Sequence, residues 1–161
     1  MQFDEGVRMM ASVLDVAKAV LDVTGPVSTM KLERLVYYCQ VLSLVERGQR
    51  IFPEQMEAWI NGPVSPALFR AHARQYVVTP STFEAIGDSS RLFQSDLEIV
   101  GTVVKKLGML SGEELRELSQ GEAPWRDARG DAAPYERCAN VITTSAMSSY
   151  YSANRGNPVF A

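Results

Sequence analysis

Apolar residues recur along most of the chain at the spacing of amphipathic helices. Between positions 13 and 20 they stand at i, i+3, i+4 and i+7, which forms one helical stripe. Ser12 and Asp15, just before this stripe, have the spacing of a capping box, with Asp in place of the usual Glu. The pattern therefore predicts a first helix that starts at Ser12 and ends at Gly25-Pro26, because proline cannot continue a helix.

The second predicted helix is apolar on most of its sides. Ser28 or Thr29 is its expected N-cap, positions 32–45 are almost entirely apolar, and Gly48 closes it. A helix without a polar face is normally buried at the centre of its domain. We therefore expect the rest of the fold to pack around this helix.

Between positions 50 and 64 the period changes from helical to alternating. Ile51-Phe52 and the alternation over 56–60 predict a short β-hairpin, which has to lie on the helices because two strands alone are marginally stable. Asn61-Gly62-Pro63 is a strong turn signal and is predicted to lead from the second strand into a helix. That third helix has Ser65 as its expected N-cap and Pro66 as its first residue.

Further helices are predicted in the second half of the chain. One starts near Ser95, a short one is capped by Ser111 with Glu114, and another spans Thr144 to Tyr151. Three segments are predicted to be irregular: a surface excursion over 77–93, a loop over 121–134 that contains Pro124-Trp125, and a loose tail over 154–161.

These elements predict a mainly α fold: a compact helical domain of about six helices with a short β-hairpin between helices 2 and 3. No repeat or linker divides the chain, so we expect a single domain over 1–161, with its core over about 12–151 and a flexible C-terminal tail over 154–161.

Composition narrows the class of protein. With 46% hydrophobic and 22% charged residues over 161 positions, the chain is an ordinary globular domain. A net charge of -3 with scattered Lys and Arg argues against direct nucleic-acid binding. The acidic start over 1–5 lacks the features of a signal peptide, and no apolar run approaches the ~20 residues of a membrane span. Two distant cysteines, Cys39 and Cys138, fit reduced thiols, so we expect a cytoplasmic protein.

The residues that carry chemistry are few. One histidine, His72, and two distant cysteines do not supply the three or four ligands of a zinc site, and no phosphate loop, Rossmann motif or nucleophile elbow occurs. We therefore predict no catalytic residues, no metal and no cofactor. A hydrolase that uses His72 beside a nucleophile or a carboxylate in a cleft is kept as a lesser alternative.

The most informative segment runs from Trp59 to Pro66. It has two interpretations: a rigid corner with a core tryptophan, or an aromatic, proline-lined patch that holds another protein. Trp125, placed in a predicted loop, raises the same question.

Four stretches of the chain resemble a known family in the family's order. The sequence MKLERLVYY over 30–38 resembles the MKLQKLVYYAQ helix of the Panacea domain, which is found in SocA-like antitoxins and phage-associated GepA-like proteins. EAW at 57–59 and NGPV at 61–64 are together similar to its EAWxxGPV core. Residues 115–129 resemble its PWxxAR segment, and residues 142–151 resemble its closing helix. The resemblance covers roughly Ser12 to Tyr151. It departs at Ser119-Gln120, where the family often has Thr-His.

The resemblance implies a function: an antitoxin of a toxin–antitoxin system that neutralises a cognate protein toxin by direct binding. The alternative that it leaves open is a proteolytic adaptor, working with a Clp-type protease through the loose tail, or a phage-encoded regulator that binds a host protein. Some family members carry an extra DNA-binding domain; because the resemblance spans most of the given residues, we do not expect direct operator binding here. The candidate toxin-binding residues are Tyr37, Tyr38, Trp59, Asn61, Pro63, Pro66, Trp125 and Arg129.

Overall fold

The computed structural model of the protein describes residues 10–161, so the acidic N-terminal stretch over 1–5 lies outside the described residues. Seven α-helices and five short strands make up this part of the chain. The helices are α1 Val13–Thr24, α2 Thr29–Arg47, α3 Pro66–His72, α4 Gln94–Leu107, α5 Gly112–Gln120, α6 Ala123–Arg129 and α7 Thr144–Ala153. The strands are β1 Val27–Ser28, β2 Met56–Trp59, β3 Gly62–Val64, β4 Val77–Val78 and β5 Val141–Ile142. The mainly α fold class is confirmed.

Helix α2 is the centre of the domain, as its all-round apolar sequence predicts. Every residue from Leu32 to Leu44 is buried, and α2 contacts α1, α4, α5 and α7. Polar side chains on it have partners: the amide of Gln40 accepts from the backbone of Ile51 at 2.7 Å and donates to the carbonyl of Phe52 at 2.9 Å. The segment 51–52, predicted as a strand, is instead an irregular stretch whose backbone is held by this one side chain.

The helix starts agree with the sequence signals. Ser12 and Asp15 form a reciprocal capping box, Ser28 accepts from Lys31 N, and Ser65 caps α3. Each hydroxyl satisfies an amide that the helix leaves without a partner. Sequence alone therefore located these boundaries to within about one residue.

The hairpin lies one strand later than predicted. Strand β2 pairs antiparallel with β3 through Ala58–Pro63 and Trp59–Gly62, and β5 pairs with the other edge of β2. The turn signal therefore lies inside the hairpin, with Ile60 and Asn61 as its two-residue loop, rather than between the sheet and α3. Pro63 is tolerated because β3 is an edge strand, where no partner needs its missing N–H.

One of the three segments predicted to be irregular contains a helix, and the other two pack onto the domain. Residues 123–129 form α6 and not a loop. The excursion over 77–93 packs onto the domain through Phe83, which is fully buried, and β4 pairs with β1. The segment 154–161 ends in a 3-10 turn at Pro158–Phe160 that contacts α4, with Asn157 and Val159 buried, so it is not a free tail. Short apolar stretches flanked by Gly and Pro carry no periodic signal, yet they complete the core.

None of the helices within residues 10–161 is long and apolar enough to cross a membrane. The same residues contain no cluster of three or more His, Cys, Asp or Glu side chains that could hold a metal ion.

Candidate functional site

The loop of the hairpin is held by side chains that reach its backbone. We call residues 58–61 the hairpin tip; each of their four carbonyl oxygens accepts a hydrogen bond from a side chain of α2, α5 or α6. In the order of the carbonyls, the donors are Arg129 Nη1 at 3.0 Å, Trp125 Nε1 at 2.8 Å, Gln120 Nε2 at 2.9 Å and Arg34 Nη2. Four consecutive carbonyls with fixed partners make the tip a rigid part of the domain.

Gly62, directly after the tip, is required by its geometry. Its φ of +116° lies in the region that side chains disfavour, and a Cβ there would stand 2.7 Å from Arg34 Nη2. The guanidinium of Arg34 thus packs flat against this glycine. Burial lowers the pKa of Arg34 to about 10, so the group is still charged at neutral pH.

The departure from the family pattern at Ser119-Gln120 has a structural explanation. Gln120 supplies the N–H that the carbonyl of Ile60 accepts. A histidine ring also carries an N–H donor, so Gln and His are both able to serve this position. The residue at 120 therefore belongs to the support of the tip.

A pocket of about 760 Å³ opens beside the hairpin tip. Its wall combines aromatic and aliphatic side chains with a few charged ones. We call it the tip pocket, lined by Thr29, Met30, Glu33, Arg34, Trp59, Ile60, Asn61, Val64, Phe69, His72, Arg137, Cys138 and Ala139. Its size and mostly apolar wall are those of a binding site for a small molecule or a peptide side chain.

Aromatic rings form one side of the tip pocket. Trp59 and Phe69 pack edge to face with centroids 5.0 Å apart, and Phe69 meets the His72 ring at 5.5 Å. The indole N–H of Trp59 donates to Glu57 Oε1 at 2.8 Å, which fixes the ring. Phe69 stays 41% exposed although it is a large apolar residue.

A buried carboxylate and the single histidine form the floor of the pocket. Glu33 Oε1 accepts from the backbone N–H of Ser65 at 3.0 Å, and Oε2 lies 2.7 Å from His72 Nε2. Burial raises the pKa of Glu33, while the hydrogen bonds from His72 and Ser65 oppose that rise. The pair ties α2 to the start and the end of α3. His72 is therefore buried, with a carboxylate neighbour in a cleft.

A second polar cluster lies deeper and does not reach the tip pocket. The carboxylate of Glu122 accepts from Tyr38 at 2.5 Å, Tyr151 at 2.7 Å and Asn157 at 2.9 Å. The Tyr37 hydroxyl lies 3.1 Å from that of Tyr151. Burial raises the pKa of both Tyr37 and Tyr38, so they remain neutral donors. This network joins α2, α6, α7 and the C-terminal segment.

The eight residues predicted to bind the toxin divide into two groups. Tyr37, Tyr38, Pro63, Trp125 and Arg129 are buried. Trp59 and Pro66 are half-buried, and Asn61 is exposed. Trp59 and Asn61 line the tip pocket, whereas Trp125 and Arg129 support it from behind through the tip carbonyls. The structure thus brings the two tryptophans of the shared motifs together, with one accessible and the other structural.

Sequence reasoning missed Glu33, Arg34, Phe69 and Arg137. A signal for the first two was present, because adjacent charged residues interrupt a helix that is otherwise apolar on most sides. Phe69 and Arg137 reach the pocket through tertiary packing, which no local pattern encodes.

The stretches that build the tip and its support are the ones that resemble the Panacea domain. The profile of the family described as Antitoxin SocA-like, Panacea domain, matches residues 30–126, which is more than half of the chain. The chain belongs to this family, which supports an antitoxin role. Among curated proteins, Antitoxin SocA of Caulobacter vibrioides (strain NA1000 / CB15N) is 27% identical over 128 residues, with 73% of this chain and 67% of that protein covered. No solved structure matches the chain significantly.

Proposed function

We propose that this protein neutralises a cognate protein toxin by binding it directly. The observation that carries the proposal is its membership of the SocA-like antitoxin family, together with a curated relative named as an antitoxin. The activity takes place in the cytoplasm and needs no cofactor, no membrane and no nucleic acid.

The structure supports the proposal with exposed aromatic residues in the segments that line or adjoin the tip pocket. Phe69 lies at the pocket, and Tyr135, 84% exposed, stands two residues before the pocket residue Arg137. Tyr76, 83% exposed, follows α3, and its carbonyl accepts from the pocket residue Thr29 at 2.9 Å. Exposed aromatic residues grouped around a pocket are typical of protein-binding surfaces. A stable complex would bury roughly 1,200–2,000 Å² in total, enough to cover a toxin's active site.

Co-expression with the product of the adjacent open reading frame tests the proposal. That product alone should arrest growth, and growth should return when this protein is expressed with it. An affinity tag on this protein should then recover both chains in a fixed ratio. No rescue together with no co-purification would refute the proposal.

The adaptor alternative predicts a different outcome for the partner. Under neutralisation by occlusion, the toxin accumulates in the complex; under adaptor function, a Clp-type protease removes it. The toxin's half-life, compared between wild-type and Clp-deficient hosts, separates the two. Deletion of 154–161 is a poor test, because it also removes Asn157 from the Glu122 network.

The hydrolase alternative has the Glu33–His72 pair in its favour, since the two groups meet in a cleft. The pair also has a structural role, because it joins α2 to α3. His72→Gln retains a hydrogen-bonding side chain but removes the imidazole that such a hydrolase would use. Neutralisation that survives this substitution would remove the hydrolase from consideration.

A further inference from the structure

We propose that the tip pocket binds an acidic peptide segment of the toxin and anchors the complex. An apolar side chain of this segment enters the pocket, and a neighbouring carboxylate pairs with Arg34 and Arg137. The inference rests on the proposed function and adds the place and the chemistry of the contact.

The apolar half of the site is the ring pair of Trp59 and Phe69 with Val64. Phe69 keeps 41% of its surface exposed, and Trp59 is half-buried, although both contact each other. Covering these rings with an aliphatic or aromatic side chain would remove apolar surface from water, the largest favourable contribution to association. Aromatic side chains in pockets are also where binding free energy is concentrated.

The charged half of the site has an excess of positive charge. Of its charged groups, Glu33 is already engaged by His72 and the backbone of Ser65. Neither Arg34 nor Arg137 forms an ion pair within residues 10–161. Arg34 is 2% exposed, donates only to backbone carbonyls, and its Nε–H has no partner in the described part of the chain. Glu33 acts on Arg34 electrostatically but forms no direct ion pair with it, so the guanidinium can still favour a carboxylate from a partner.

The rigid hairpin tip and preformed pocket favour an inserted peptide segment over a flat protein surface. The four hydrogen bonds that hold the tip carbonyls fix Trp59 and Asn61 before any partner arrives. A preformed pocket loses less conformational entropy on binding than a loop that must order. The arginines at this pocket favour acidic over basic segments, although the whole chain has a net charge of -3.

Two substitutions at the pocket test the inference, each with a matched control outside it. Phe69→Ser is compared with Leu97→Ser on α4, because the two side chains are 41% and 39% exposed and only the first lines the pocket. Arg137→Glu is compared with Arg91→Glu, another exposed arginine. Arg34 is left unchanged because it holds the tip. Thermal melting of all four variants checks that the fold is intact.

Binding to the purified product of the adjacent reading frame is then measured by biolayer interferometry at several salt concentrations. Phe69→Ser should weaken the Kd by at least about tenfold, and Leu97→Ser by less than about twofold. Arg137→Glu should slow association and flatten its salt dependence, whereas Arg91→Glu should leave both unchanged. Tight binding by the wild type with no difference between pocket and control variants would overturn the inference while the proposed function stands. No binding by the wild type would instead refute the proposed function.

A photo-crosslinking amino acid at position 69 identifies the segment that enters the pocket. The crosslinked toxin peptide should contain Asp, Glu or the terminal carboxylate next to an apolar residue. A charge reversal of that acidic residue should restore binding to the Arg137→Glu variant. A crosslinked segment that is basic, or no rescue by the reversed charge, would contradict the acidic occupant.

Discussion

Arg129→Met measures how much the support of the hairpin tip contributes to stability. The guanidinium donates to the carbonyls of Ala58 at 3.0 Å, Ala133 at 2.6 Å and Glu136 at 2.8 Å, and it lies over the Trp125 ring at 5.2 Å. Methionine keeps much of the stem but removes all three hydrogen bonds, although the carbonyl of Ala133 still accepts from the backbone N–H of Glu136. At a net ~1 kcal/mol per hydrogen bond, the free energy of unfolding should fall by about 3 kcal/mol. For a domain of this size, that corresponds to a Tm lower by roughly 6–12 °C.

Urea unfolding followed by circular dichroism and tryptophan fluorescence provides the assay. Both tryptophans lie at the tip, so their emission reports on this region directly. Arg126→Met is the matched control, because Arg126 is on the same helix with a side chain 61% exposed and should change stability by less than about 0.5 kcal/mol. Equal losses for the two arginines would refute the claim that the tip carbonyls are held by Arg129.

Three further substitutions probe the tip and the pocket floor. Gly62→Ala should lower the free energy of unfolding in urea by at least about 2 kcal/mol. Gly101→Ala, with open space around its Cβ position, should be neutral or stabilising, and similar effects for the two variants would contradict the close packing at Gly62. Gln120→His should stay within about 1 kcal/mol of wild type and Gln120→Ala should lose about 1 kcal/mol, and the reverse order would exclude a donor role. Burial raises the pKa of Glu33 from its usual 4.5, so this group stabilises the fold below pH 4.5, and wild-type stability should fall as pH rises through the raised pKa. Glu33→Gln should remove that fall from urea midpoints measured from pH 4.5 upward, and parallel curves would count against the buried carboxylate.

The parts of the fold that could be predicted from sequence are those set by local interactions. Ser12, Ser28, Ser65 and Ser111 cap helices because a hydroxyl three residues before a free amide is a local arrangement. The burial of α2 followed from its composition alone. On α4 the spacing of Leu97, Val100, Val104 and Leu107 predicts one apolar face, yet Leu97 is 39% exposed and Ile99 and Val103 are buried, because tertiary packing and not spacing selects the buried face.

The site could be predicted only in part, since its support is non-local. The segment around Trp59, singled out from the sequence, forms the hairpin tip, but the side chains that hold it lie 27 to 71 positions away. The predicted loop over 121–134 contains α6, because Pro124 lies in the first helical turn, where proline is well tolerated. The Glu122 network was invisible to sequence reasoning because its members come from four separate segments.

The central claim, neutralisation by direct binding, is tested most directly by titration calorimetry of the two purified proteins, this chain and the product of the adjacent reading frame. We predict a saturable transition with a Kd below about 1 μM and a negative heat-capacity change from buried apolar surface. If the purified proteins do not bind at micromolar concentrations, although this protein rescues growth in the host, neutralisation by direct binding is contradicted.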